Sequence, residues 1–218
     1  MFRTPRFLIP LILGAVLRAD AGMDQAVSLY RARRYGEAEA DLEPMAASRP
    51  RDAAACYYLG MCLRHGAGGG ALDAAVPWLE KAAALAPDNA VYLGDLGGTC
   101  LQLADRHRSF SFATRGRAAM EKAIRLDPGY LEAREGLMQF YARAPWPLGS
   151  ALKARAQAGE ILRRDAARGV RAFIYLGREL EKSGSRAAAR EAYATALKAD
   201  PGCAEARSAV ARLDAVSR

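Results

Sequence analysis

Residues Val170 to Cys203 read VRAFIYLGRELEKSGSRAAAREAYATALKADPGC, and this stretch of 34 residues decides the fold. Its first half carries Leu176-Gly177 and then Leu180, a spacing that puts all three on one helix face. The second half carries Ala189, Tyr193 and Ala196, again one helical stripe. Asp200-Pro201-Gly202 ends it, because proline cannot continue a helix and displaces the residue before it. The segment is therefore two short amphipathic helices joined by a tight turn.

The same unit recurs towards the amino terminus. Further endings stand at Arg49-Pro50, Ala86-Pro87-Asp88-Asn89, Asp127-Pro128-Gly129 and Asp165-Ala166. The stripes before them are Ala38/Leu42/Met45, Ala75/Leu79/Ala82, Gly116/Met120/Ala123 and Ala154/Ala158/Ile161. The helices after them carry Leu59-Gly60 with Leu63, Leu96-Gly97 with Cys100, and Leu137-Met138 with Tyr141, after a weaker first copy in Gln25-Ala26 with Leu29. A small residue beside the Leu admits a close neighbouring helix, a feature lost at Met138. These residues resemble the tetratricopeptide repeat. The resemblance implies an all-α, right-handed superhelical solenoid of antiparallel helix pairs, whose first helices line a concave groove. Five repeats are expected, at about 22–52, 53–89, 90–130, 131–169 and 170–203, with a capping helix over 204–216. Ala206, Val210 and Leu213 form the stripe of that cap.

The repeats depart from 34 residues in an ordered way. Pro50 to Pro87 is 37 residues, Pro87 to Pro128 is 41, and Pro128 to Pro201 is 73 over two repeats. The extra residues fall in Gly66–Gly70, in or near Arg106–Phe112, and around Ala144–Gly149, all read as the turn within a repeat. Ser109-Phe110-Ser111-Phe112 and Phe140-Tyr141-Ala142-Arg143-Ala144-Pro145 are also similar to segments of exported bacterial tetratricopeptide proteins. Phe110, Phe112 and Trp146 in these turns either fold back as plugs or form an edge that anchors a partner.

The amino terminus reads as an address. Arg3 and Arg6 precede the apolar run Phe7–Leu17, and Ala19-Asp20-Ala21 supplies a small-residue cleavage site. Residues 1–21 are therefore expected to be a signal peptide, and 22–218 an exported, periplasmic or secreted repeat domain. The competing start is Met23. The apolar run is shorter than the ~20 residues of a membrane-spanning helix, so no span is expected.

Composition narrows the function. Basic residues outnumber acidic ones 32 to 24, giving a formal charge of +8. Arg and acid are mostly interspersed, and the dense exception is Arg106/Arg108/Arg115/Arg117 around Phe110 and Phe112. Two His, and four Cys at Cys56, Cys62, Cys100 and Cys203, offer neither metal-ligand spacing nor a disulfide framework. A Cys56–Cys100 bridge between neighbouring helices stays open alongside buried thiols. No phosphate-binding loop or nucleophile elbow occurs, so no catalytic residue, metal or cofactor is expected.

The expected function is a non-catalytic scaffold for a protein or peptide partner. Groove candidates, flanking the core slots on the first helices, are Tyr57, Met61, Arg64, Gln139, Arg143 and Arg178. Family members that clamp a terminal carboxylate use Asn and Lys there, whereas this chain has a single Asn, Asn89, in a turn. The second expectation is a basic module binding anionic polymer or nucleic acid through Arg106–Arg117.

Overall fold

The computed structural model describes residues 21–66 and 71–215, and among them every regular element is a helix. The expected signal peptide lies, but for Ala21, outside the described residues, as do four positions of the Gly66–Gly70 turn. Helix α1 covers 21–31. The others are α2 (Tyr35–Ser48), α3 (Ala53–His65), α4 (Leu72–Leu85), α5 (Ala90–His107), α6 (Phe110–Leu126), α7 (Leu131–Arg143), α8 (Ala151–Arg164), α9 (Ala166–Lys182), α10 (Arg186–Ala199) and α11 (Ala204–Ala215). The fold class is the expected all-α helical repeat.

Two compact units divide the chain, one ending at Tyr92 and the other starting at Leu93. In the first, Ala26, Ala38, Leu42, Ala46, Leu59 and Cys62 form a buried cluster. The stripe on α2 ends on Ala46, and Met45 is only partly buried. In the second, Leu137, Met138, Ile161, Leu176, Tyr193 and Leu213 belong to one continuous core. Each fully buried Leu or Ile there contributes roughly 1.5–3 kcal/mol. On α11 the buried residues are Ala206, Ala209 and Leu213, with Val210 at their margin.

The endings between repeats are one turn used repeatedly. The amide of Arg49, Ala86, Asp127 or Asp200 closes the preceding helix on Met45, Ala82, Ala123 or Ala196 at 2.8–2.9 Å. Three residues on, the amides of Asp52, Asn89, Tyr130 and Cys203 return to the carbonyls of Arg49, Ala86, Asp127 and Asp200 at 3.0–3.1 Å. Asp52 and Asn89 then cap the next helix, accepting from Ala55 at 3.0 Å and from Tyr92 at 3.1 Å. Two copies add an arginine six residues after the proline. Arg134, buried, donates to the Pro128 carbonyl at 2.9 and 3.1 Å, and Arg207 donates to the Pro201 carbonyl at 2.5 Å. At Asp165, which lacks the proline, the turn shrinks to that single residue, which accepts from Arg168 at 2.9 Å to start α9.

The third repeat corrects one expectation. Its additional residues do not form a loop. They lengthen α5 to 18 residues and α6 to 17, against 13 and 14 in α3 and α4. Arg106–Phe112 contains neither Gly nor Pro, so nothing breaks the helices until Arg108, whose φ is 52°. Ser109 then caps α6 by accepting from the Phe112 amide. Phe110 and Phe112 are thus first-turn helix residues. Only the fourth repeat carries a long described loop, Ala144–Ser150.

Candidate functional site

Within the first unit, six aromatic rings from four helices form an unbroken row. Tyr35 opens α2, and its ring stacks on His65 at the end of α3, 5.4 Å between centroids. Tyr30 of α1 meets Tyr35 at 5.6 Å and the Tyr58 ring of α3 edge-on at 5.3 Å. Tyr58 meets Tyr57 at 5.1 Å, and Tyr57 stacks on Tyr92 at 4.3 Å, with 19° between the ring planes. Tyr30, Tyr58 and Tyr92 remain partly exposed, whereas Tyr57 is buried beneath them. Burial, with Tyr58 and the Asp52 carboxylate nearby, pushes the Tyr92 hydroxyl above its ordinary range, so at neutral pH it both donates and accepts. The row offers flat apolar faces rimmed with hydroxyls.

The groove candidates occupy different settings. Tyr57 and Met61 are buried, and Arg64 is half-buried. Gln139 is exposed. Arg143 pairs with Asp105 and donates to the Tyr175 hydroxyl, and Arg178 pairs with Glu205. These belong to a lattice linking the first helices of the second unit, in which Arg168 holds Glu132 and Glu135 at 2.9 and 2.8 Å and Arg212 holds Glu181 at 2.7 Å. That face is internally neutralised. Of these tyrosines, the repeat pattern in the sequence points to Tyr57 but not to Tyr30, Tyr58 or Tyr92. Their positions differ from repeat to repeat, and the available signal was only the local density of Tyr.

The turn candidates divide in the same way. Trp146 is 90% exposed and Phe110 61%, so neither is a plug, and Leu152 in the first turn of α8 is 78% exposed. Phe112 is half-buried with the Arg115 guanidinium 5.3 Å from its ring centre. Arg117 of the basic patch reaches Glu121 at 3.4 Å, while Arg106 and Arg108 are exposed. Gly94 and Gly97 face no ligand space. A Cβ on Gly94 would lie 2.4 Å from the Tyr130 ring, and one on Gly97 would lie 2.9 Å from the Gly116 carbonyl.

The four cysteines are unbridged thiols. Burial pushes Cys62 up to about 12 and Cys100 to about 11, far from the thiolate that nucleophilic chemistry requires. Among the described residues no three His, Cys, Asp or Glu converge as metal ligands.

A tetratricopeptide repeat model matches residues 23–90 and 176–213. Over those two stretches the chain carries tetratricopeptide repeats. Its repeats also superpose on solved structures over most of their length. YrrB, described as a tetratricopeptide-repeat protein with an unusual peptide-binding site, is 19% identical, with a TM-score of 0.66 over 86% of this chain and 89% of its own. MamA is 18% identical, with a TM-score of 0.68 over 84% and 92%. TTC0263 of Thermus thermophilus is 21% identical, with a TM-score of 0.58 over 89% and 98%. At these identities the likeness shows the fold. No curated protein matches the chain. Tetratricopeptide repeats are in general non-catalytic modules that bind proteins, and that is the level at which the family speaks for this chain.

Proposed function

We propose that this tetratricopeptide repeat protein is a non-catalytic scaffold that holds an extended protein segment against the tyrosine row of its first unit. The observation that carries this reading is the continuity of Tyr30, Tyr58, Tyr57 and Tyr92 across α1, α3 and α5, the helices expected to line a groove. Tyrosine loses little side-chain entropy on binding and combines a flat apolar face with a polar tip. Rows of such rings suit extended or polyproline-like segments, whose backbone carbonyls accept from the hydroxyls. The peptide-binding site named for YrrB supports the class of ligand. Arg143 and Arg178 are already paired within the chain, which ranks them second to the tyrosines as recognition groups.

Selection from a displayed library of random peptides tests the reading. Binders should lose about 1–2 kcal/mol on Tyr58→Ala or Tyr30→Ala, as interface aromatics do, and lose less on Tyr58→Phe, which keeps the ring and removes only the hydroxyl. Binders indifferent to both alanine variants would show that the segment does not lie on the tyrosine row.

The setting proposed for this scaffold is the cell envelope or the secreted space. Arg3, Arg6, the run Phe7–Leu17 and Ala19-Asp20-Ala21 support it. Terminal sequencing of the native protein should find Gly22 first, and an intact Phe2 or a start at Met23 would contradict export.

A further inference from the structure

We infer that the edge of the second unit carrying Trp146 is a docking surface for an anionic lipid bilayer. Two connections meet there. The ion pair between Arg143 and Asp105 brings the ends of α7 and α5 together, so the turn at Arg108-Ser109 and the loop Ala144–Ser150 leave from adjacent points. The loop is tightly built. The Ser150 amide returns to the Tyr141 carbonyl at 2.8 Å, and the Leu148 and Gly149 amides both reach the Pro145 carbonyl at 3.0 Å. A Cβ on Gly149 would lie 1.8 Å from the Ala144 carbonyl, so the chain closes on itself more tightly than another residue allows. Trp146, between Pro145 and Pro147, is held facing out by this frame.

Exposed apolar side chains and positive charge coincide on this edge. Trp146, Leu152 and Phe110 are the three most exposed large apolar residues among those described. Over 105–117 four arginines face one aspartate, and that aspartate is occupied by Arg143. Arg106 and Arg108 are exposed, and Lys153 lies 5.4 Å from the Tyr141 ring centre, beside the loop. Tryptophan settles at the boundary between water and acyl chains, and each nearby Lys or Arg adds attraction to acidic headgroups. Leu152 separates lipid from nucleic acid as the occupant: an aliphatic side chain partitions into a bilayer but gives a base no stacking platform. No described helix is long and apolar enough to cross a membrane.

The test uses the full chain with vesicles of phosphatidylcholine alone or mixed with phosphatidylglycerol. Of the two tryptophans, Trp78 is removed by Trp78→Phe so that emission reports Trp146. Co-sedimentation with the mixed vesicles, a blue shift of that emission and no binding to phosphatidylcholine alone are expected. Trp146→Ala and Leu152→Ser should each weaken partitioning several-fold without moving the melting curve. Arg106→Gln with Arg108→Gln should weaken it by roughly tenfold or more. Absence of binding to mixed vesicles overturns the proposal, as does binding that Trp146→Ala leaves intact. Capture of a single-stranded oligonucleotide with no vesicle-induced blue shift would overturn it in favour of a nucleic-acid site.

Discussion

Tyr141 and Tyr193 lock neighbouring helices by the same device: each buried hydroxyl donates to a glutamate, Glu121 or Glu181, at 2.7 Å. Burial first, and then the Glu121 carboxylate, pushes Tyr141 up to about 12 from an ordinary value of 10.0. The folded state therefore holds this proton more tightly than the unfolded chain. The associated stability is complete below about pH 10 and disappears as pH rises towards about 12. Urea unfolding across that window should show a steeper alkaline loss in the wild type than in Tyr141→Phe; parallel curves would exclude the coupling. Spacing alone identified the buried face of Tyr141 and Tyr193 but not their carboxylate partners, which come from other helices. The same limit applies to Tyr30, Tyr58 and Tyr92, which meet only when α1, α3 and α5 stand together. The exposure of Trp146 was equally beyond the sequence, since a plug and an anchor have the same composition.

Helices pack closely where glycine faces glycine. Gly97 of α5 and Gly116 of α6 each approach the other's carbonyl so nearly that a Cβ would lie 2.9 or 2.8 Å from it. Gly159 of α8 has no atom within 4 Å of such a Cβ. Gly97→Ala should therefore cost about 1–3 kcal/mol by overpacking, while Gly159→Ala should gain up to about 1 kcal/mol through helix propensity. Chemical denaturation of both variants checks the contrast, and changes of the same sign would refute it. The glycine beside the recurring leucine was legible as a close contact because both helix periods converged on it. Helix length was less legible. Residue counts between prolines registered seven extra positions in the third repeat, but a count does not distinguish a loop from two longer helices. The absence of Gly and Pro from Arg106–Phe112 was the signal that favoured the helices.

At the scale of the molecule, the helices of the repeat core are followed by one more, α11, which packs on the last pair. Ala206, Ala209 and Leu213 bury against that pair, while Arg190–Asp214 and Arg212–Glu181 tie the rim. Leu213→Ala should cost about 2–5 kcal/mol, read as a lower melting temperature; an unchanged curve would show that the cap is dispensable. The helical-repeat architecture was legible because one pattern recurred in phase, so weak signals added. The proposed binding surfaces were not, because a row of tyrosines or an exposed indole occurs once and gains nothing from repetition. The proposed partner is an extended segment lying on the tyrosine row. Amide chemical-shift mapping with a peptide selected on the full chain tests it most directly. The largest shifts should fall on Tyr30, Tyr58, Tyr92 and their helical neighbours, whereas shifts confined to Gln139, Arg143 and Arg178 would place the segment elsewhere.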